Sequence, residues 1–151
     1  MRKFWLLVTL LLLGGAWIAE AQGELTLTSP VAFQVVQRHN GTGNIPIAGS
    51  ASAAGTVEAR FNSGAWQAIA TVSGGTFAGS LASQPQGQGS VEVRLAEAPD
   101  AVVSVAPVGI GDVFIVAGQS NASGRGTNPQ PVSHPVLKAG VFGNDYVWHE
   151  L

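Results

Sequence analysis

The sequence predicts a mostly β protein, an immunoglobulin-like β-sandwich of short strands leading into the first strands of an α/β domain. Three observations predict it. Between Glu24 and Ala106, runs of alternating apolar and polar residues recur about every ten residues, separated by glycine-rich turns. No helical period of useful length competes with them. After Gly111 the pattern changes, because Phe114-Ile-Val-Ala117 is a continuous apolar run of the kind buried on both faces of a parallel sheet, and it stops abruptly at Gly118-Gln-Ser120.

Residues 1–21 read as a signal peptide. Arg2 and Lys3 form a positive start, residues 4–13 an apolar core, and Ala19-Glu-Ala21 fits the small-x-small pattern of a cleavage site before Gln22. The apolar stretch is shorter than the roughly 20 residues of a comfortable membrane span, so the expected location is secreted or periplasmic, with no membrane attachment after cleavage.

Residues 22–107 carry the sandwich pattern. Leu25-Thr-Leu-Thr28 alternates; residues 31–38 place Val31, Phe33 and Val35 on one face; Asn40-Gly-Thr-Gly43 is a turn. Ile45-Pro-Ile47 reads as an edge segment, since proline cannot donate to a central ladder. Residues 56–61 pair with 66–72 across Asn62-Ser-Gly-Ala65 as a hairpin, and residues 76–81 form a further strand. Residues 90–95 alternate strictly with Val91, Val93 and Leu95 inward, and residues 102–105 close the set. Ala98-Pro-Asp100 reads as a turn and Ala106-Pro-Val-Gly-Ile-Gly111 as a hinge, with residues 108–151 beyond it.

The chain has no cysteine, so an exported domain must be held by its core and not by disulfides. Charged residues are 11% of the chain, and loss of Arg2, Lys3 and Glu20 with the leader takes the formal charge from -2 to -3. That weak acidic excess gives no footprint for nucleic acid, which wants a basic face.

Chemistry concentrates after residue 111. Gly118 frees the backbone for a sharp turn, and reacting groups in open α/β sheets sit beyond the carboxyl ends of the strands, which is where Ser120 would emerge. The bare tetrapeptide Gly-Gln-Ser-Asn is also an ordinary polar turn. The longer run Gly111-Asp-Val-Phe-Ile-Val-Ala-Gly-Gln-Ser-Asn-Ala-Ser-Gly-Arg-Gly126 resembles the first sequence block of the SGNH (GDSL-like) hydrolases, in the form typical of the sialate O-acetylesterase and carbohydrate acetylesterase branch. Ala122 stands where the family often has Met, a departure that touches packing more than chemistry. The resemblance implies a flavodoxin-like α/β hydrolase domain, Ser120 as nucleophile, Gln119 and Asn121 as oxyanion or substrate-contact candidates, and an acetylated carbohydrate as substrate. It implies no metal and no cofactor. Residues 22–107 loosely resemble the immunoglobulin-like modules that precede secreted carbohydrate esterase domains.

A serine hydroxyl is a weak nucleophile until a base takes its proton. In the resembled family the base lies in an Asp-x-x-His block near the far C-terminus, and no such block is visible here. His39 lies in the sandwich pattern and His134 in a proline-flanked loop. Asp145-Tyr-Val-Trp-His149 has the wrong spacing and reads better as a terminal turn, as does Gly143-Asn-Asp145 against the family's oxyanion block. The 41 residues from Gly111 to Leu151 hold about one βαβ unit, whereas a stable doubly wound sheet needs several, so the hydrolase domain is expected to be truncated.

Three readings stand on the sequence: the N-terminal part of an esterase, inactive by itself; a glycan-binding or docking module, for which Trp66 could be a sugar platform or simply a half-buried aromatic; and a remnant with neither role. If the leader is processed as its pattern predicts, N-terminal sequencing of exported protein begins at or near Gln22. An intact Met1 terminus in the membrane fraction would contradict that expectation.

Overall fold

The computed structural model describes residues 24–120, 122, 128, 134 and 138–151. Eight strands and no helix occur among them: β1 (Leu25–Ser29), β2 (Val35–Gln37), β3 (Thr42–Phe61), β4 (Gln67–Pro85), β5 (Gly87–Leu95), β6 (Ala98–Gly111), β7 (Gly140–Phe142) and β8 (Trp148–Glu150). The first six form one continuous sheet in the order β1-β3-β5-β6-β2, with β4 on the other side of β3. Strands β7 and β8 form a separate antiparallel pair. The fold is therefore mostly β, as the alternation predicts, but built on a single curled sheet.

The curl originates in the β3–β4 hairpin. Sequence patterning divides this region into several short strands; the structure joins them into two strands of 20 and 19 residues that bend together. The bend falls where register slips between Ala51 and Ala54, opposite Gly74 and Gly75, whose φ values of +89° and +109° only glycine adopts without strain. Beyond it β4 returns so close to itself that a Cβ on Gly79 would stand 2.4 Å from the carbonyl oxygen of Ile69. One edge of β3 thereby serves two partners, β1 on residues 48–51 and β5 on residues 57–61.

The core lies inside this curl. Alternate residues of β3 point inward, so Ile45 and Ile47 before the bend meet Val57, Ala59 and Phe61 after it, together with Val91 and Val93 of β5. Burying apolar surface contributes roughly 25 cal/mol per Å², and with no disulfide this term must carry the fold.

Several sequence expectations shift for local reasons. Pro46 lies within a long strand flanked by two buried isoleucines, and it is tolerated because the β1 ladder begins only at Ala48; its carbonyl instead accepts from the Ser29 hydroxyl at 3.2 Å. Residues 31–34 turn back on themselves, with the Gln34 amide oxygen accepting the Val31 N–H at 3.0 Å, which leaves only Val35–Gln37 as strand. The turn expected at residues 98–100 sits at Ala96 and Glu97, fixed by the Glu97 carboxylate, which accepts the Thr56 N–H at 3.0 and 3.1 Å. The expected hinge at residues 106–111 is the end of β6: Val108 and Ile110 are buried in the core, and Gly109 to Gly111 pair in parallel with β2. Finally, residues 113–117 form no strand, and Phe114, Ile115 and Val116 are 81%, 93% and 75% exposed, because no described strand lies beside them.

The placement of β6 has a measurable consequence. Ile110→Ala should lower the unfolding free energy in urea by about 2–5 kcal/mol, as loss of a buried isoleucine does, while Val102→Ala on the exposed side of the same strand should change it by less than about 0.5 kcal/mol. A negligible effect of Ile110→Ala would return residues 106–111 to the status of a hinge.

Candidate functional site

Ser120 is solvent-exposed and follows directly on the exposed apolar run. The carbonyl of Gln119 accepts the N–H of Ala122 at 2.9 Å, so Ser120 occupies the first inner position of a tight turn. Asn121 lies outside the described residues, as do residues 123–127 of the same block.

The root of this segment is held firmly. Where the β2–β6 ladder ends at Gln37 and Gly111, the Arg38 N–H donates to the Gly111 carbonyl at 2.8 Å. The Arg38 side chain then forks onto Asp112, Nε to Oδ1 and Nη2 to Oδ2, both at 2.9 Å, the bidentate geometry that suits guanidinium to carboxylate. One residue further, the Gln37 amide oxygen accepts the Val113 N–H at 2.8 Å. The hydrogen bond from Arg38 holds the Asp112 carboxyl below its ordinary value, with the positive charge of Arg38 adding to it, and the same contact raises the Arg38 guanidinium.

Asp145 and His149, set aside on spacing, are brought together: His149 Nε2 and Asp145 Oδ2 are 2.8 Å apart. The hairpin turn between β7 and β8 does this. The Gly143 N–H donates to the Val147 carbonyl at 2.9 Å, and Asp145 Oδ1 accepts the Val147 N–H at 3.3 Å, which folds the carboxylate back over the turn. The contact with His149 lowers the Asp145 carboxyl. Because the carboxylate meets Nε2, this pair is arranged as a turn clasp, reinforced by the cross-strand packing of Phe142 on Trp148 at 5.5 Å between ring centroids. His39 closes a separate two-residue turn through reciprocal bonds with Thr42.

Trp66 is half-buried, and the Arg60 and Arg94 guanidinium carbons lie 4.5 and 4.1 Å from its ring centroid. These arginines also pair across β3 and β5 with Glu92 and Glu58. The indole thus completes a charged ladder on the outer face of the sheet and is engaged by cations where a sugar would stack. A shallow depression at the start of β1 is lined by Glu24, Thr26, Ser50 and Ser52, but its hydroxyls bond locally, Thr26 to Ser50 and Ser52 to the Glu24 N–H, both at 2.8 Å.

No family model matches the chain, and no curated protein does. Among solved structures, the chain is similar to a carbohydrate acetylesterase from Xanthomonas citri, at 23% identity and a TM-score of 0.41, over 59% of this chain and 19% of that one. The chain spans about a fifth of the length of that enzyme.

The Arg38–Asp112 contact sets a pH dependence. A lowered carboxyl favours the folded state above its ordinary pKa, and this contribution disappears as pH falls through the lowered value. Carbon-detected NMR should therefore find Asp112 titrating below the ordinary aspartate range, and returning toward it in Arg38→Ala. An unchanged Asp112 midpoint in that variant would show that the ion pair does not persist in solution.

Proposed function

We propose that this chain is the N-terminal part of a secreted serine esterase that removes O-acetyl groups from sugars, with Ser120 as its nucleophile. The observation that carries the reading is the placement of Ser120: exposed, in a tight turn, directly after an apolar run, within the sequence Gly-Gln-Ser-Asn. The exposure of Phe114, Ile115 and Val116 supports the same reading, since an apolar run is stabilised by strands on either side, which the rest of an α/β sheet would supply. Residues 22–107, extended to Gly111 by the end of β6, would then be the immunoglobulin-like module in front of that domain.

The chemistry is acyl transfer. The Ser120 hydroxyl adds to the acetyl carbonyl while a base accepts its proton, and the tetrahedral oxyanion is met by backbone donors, the Ser120 N–H among them, with Gln119 and Asn121 as flanking polar contacts. Collapse breaks the bond to the sugar oxygen, which takes the proton from the base and leaves acetyl-Ser120. Water then repeats the sequence in reverse and releases acetate. The base and the residue that orients it are assigned to chain outside these 151 residues, so the 151-residue chain is proposed to be inactive by itself.

The experiment is p-nitrophenyl acetate hydrolysis by the 151-residue chain, by a longer protein that adds an Asp-x-x-His block, and by the Ser120→Ala variant of each. The short chain and its variant should have the same background rate, while in the longer protein Ser120→Ala should remove several orders of magnitude. Ser120-dependent turnover by the short chain would overturn the assignment of the base. An active longer protein indifferent to Ser120→Ala would overturn the assignment of the nucleophile.

A further inference from the structure

Strand β4 is paired along one edge. Among the described residues its only ladder is with β3, and no strand lies along its opposite edge. Residues 75–81 run in unbroken register against residues 45–51, between the bend at Gly74 and Gly75 and the register slip between Gly43 and Ile45. Alternation decides where each backbone group of this stretch points. The Ser52 N–H donates to the Glu24 carbonyl at 2.9 Å, so Ser52, Ser50 and Ala48 turn their backbone toward β1, and Ala51, Gly49, Ile47 and Ile45 turn theirs toward β4. The register partners of these four, Gly75, Phe77, Gly79 and Leu81, therefore commit their N–H and C=O groups to β3. Thr76, Ala78 and Ser80 alternate with them and direct theirs to the open edge. The side chains of these three are exposed, while Phe77 and Leu81 are buried in the core.

Proteins guard such an edge with charged side chains or a proline. None of the 19 residues of β4 is charged, and its one proline, Pro85, is the last. The edge is also complementary to itself. Laid antiparallel on a second copy about a twofold axis at Ala78, it sets Thr76 opposite Ser80 of the copy and Ala78 opposite Ala78. Each residue with open backbone groups then meets another such residue, and every such pair exchanges both hydrogen bonds. On the outer face the Thr76 and Ser80 hydroxyls come side by side with no charge to repel. On the inner face Phe77 stands beside Gly79 of the copy, where no side chain obstructs its ring.

We propose that residues 75–81 are a self-association edge, at which two copies of this chain join β4 to β4 in antiparallel register centred on Ala78. The β1-β3-β4 arms of the two copies become one continuous sheet. Pairing consumes the edge in both copies, so association stops at two and does not run on into a filament. The proposal is independent of the esterase reading.

Sedimentation of the full chain over a rising concentration series tests it. The parent should pass from monomer to dimer. Ala78→Lys sets two ammonium groups opposite each other at the axis and should raise the dissociation constant about tenfold or more. Ala78→Pro removes the edge N–H from both copies without touching the β3 ladder and should weaken the dimer likewise. At a concentration where the parent is monomeric, both variants should keep its far-ultraviolet circular dichroism; should the proline unfold the chain, the lysine variant and the cross-link carry the test. The register is read by that cross-link. The chain has no cysteine, and directly paired Cα atoms about 5.5 Å apart are within disulfide reach, so Ala78→Cys should oxidise to a covalent dimer. Ser63→Cys, exposed at the β3–β4 turn, should not do so at the same concentration. A parent that stays monomeric throughout would overturn the proposal. So would a dimer equally strong in Ala78→Lys, the result expected if copies met through the exposed Phe114, Ile115 and Val116.

Discussion

The parallel ladder between β2 and the end of β6 is the contact on which the rest of the structure depends. Three residues on each side are paired, Val35 to Gln37 with Gly109 to Gly111, and the flanking bonds from Gly109 to Gln34 and from Arg38 to Gly111 extend it at both ends. It gives the end of β6, whose Val108 and Ile110 lie in the core, a second partner opposite the Gly87 to Gly89 stretch of β5. It is also the last paired step before Asp112, so the same pairing fixes where the chain leaves the sheet toward Ser120. Parallel strands need a long crossover, and here the whole of β3, β4 and β5 lies within it.

Much of the β domain is legible in the sequence because alternation is a direct record of burial. Val91, Val93 and Leu95 fall inward as their spacing requires, and the hairpin across residues 62–65 forms where Asn62 and Gly64 predict a turn. What alternation cannot record is continuity. The Gly74-Gly75 step reads as a break between two strands, yet it is a bend within one, since a bulge opposite glycine preserves the ladder while turning it. The Pro/Gly-rich residues 106–111 mislead in the same way: composition marks a hinge, whereas pairing with β2 some seventy residues earlier makes a strand.

The candidate site divides along a similar line. Ser120 is legible because its signal is local, an apolar run, a glycine and a polar turn in immediate succession. The residues that hold its segment are not, because an exposed glutamine or arginine carries no mark of its partner, and Arg38 and Asp112 are 74 positions apart. The Asp145–His149 contact illustrates the converse. Its spacing fits no catalytic block, yet the backbone of the β7–β8 turn brings the two side chains together for a reason internal to that hairpin.

The central claim is that the β2–β6 ladder belongs to the same cooperative unit as the core and does not open separately. Native-state hydrogen exchange of the Arg38 and Gly109 amides, compared with the amide of Val93 in the middle of β5, tests it most directly. If the ladder and the core are one unit, all three exchange only through global unfolding, with one free energy and one denaturant dependence. Exchange of Arg38 and Gly109 through a local opening, while Val93 remains protected, would contradict the account.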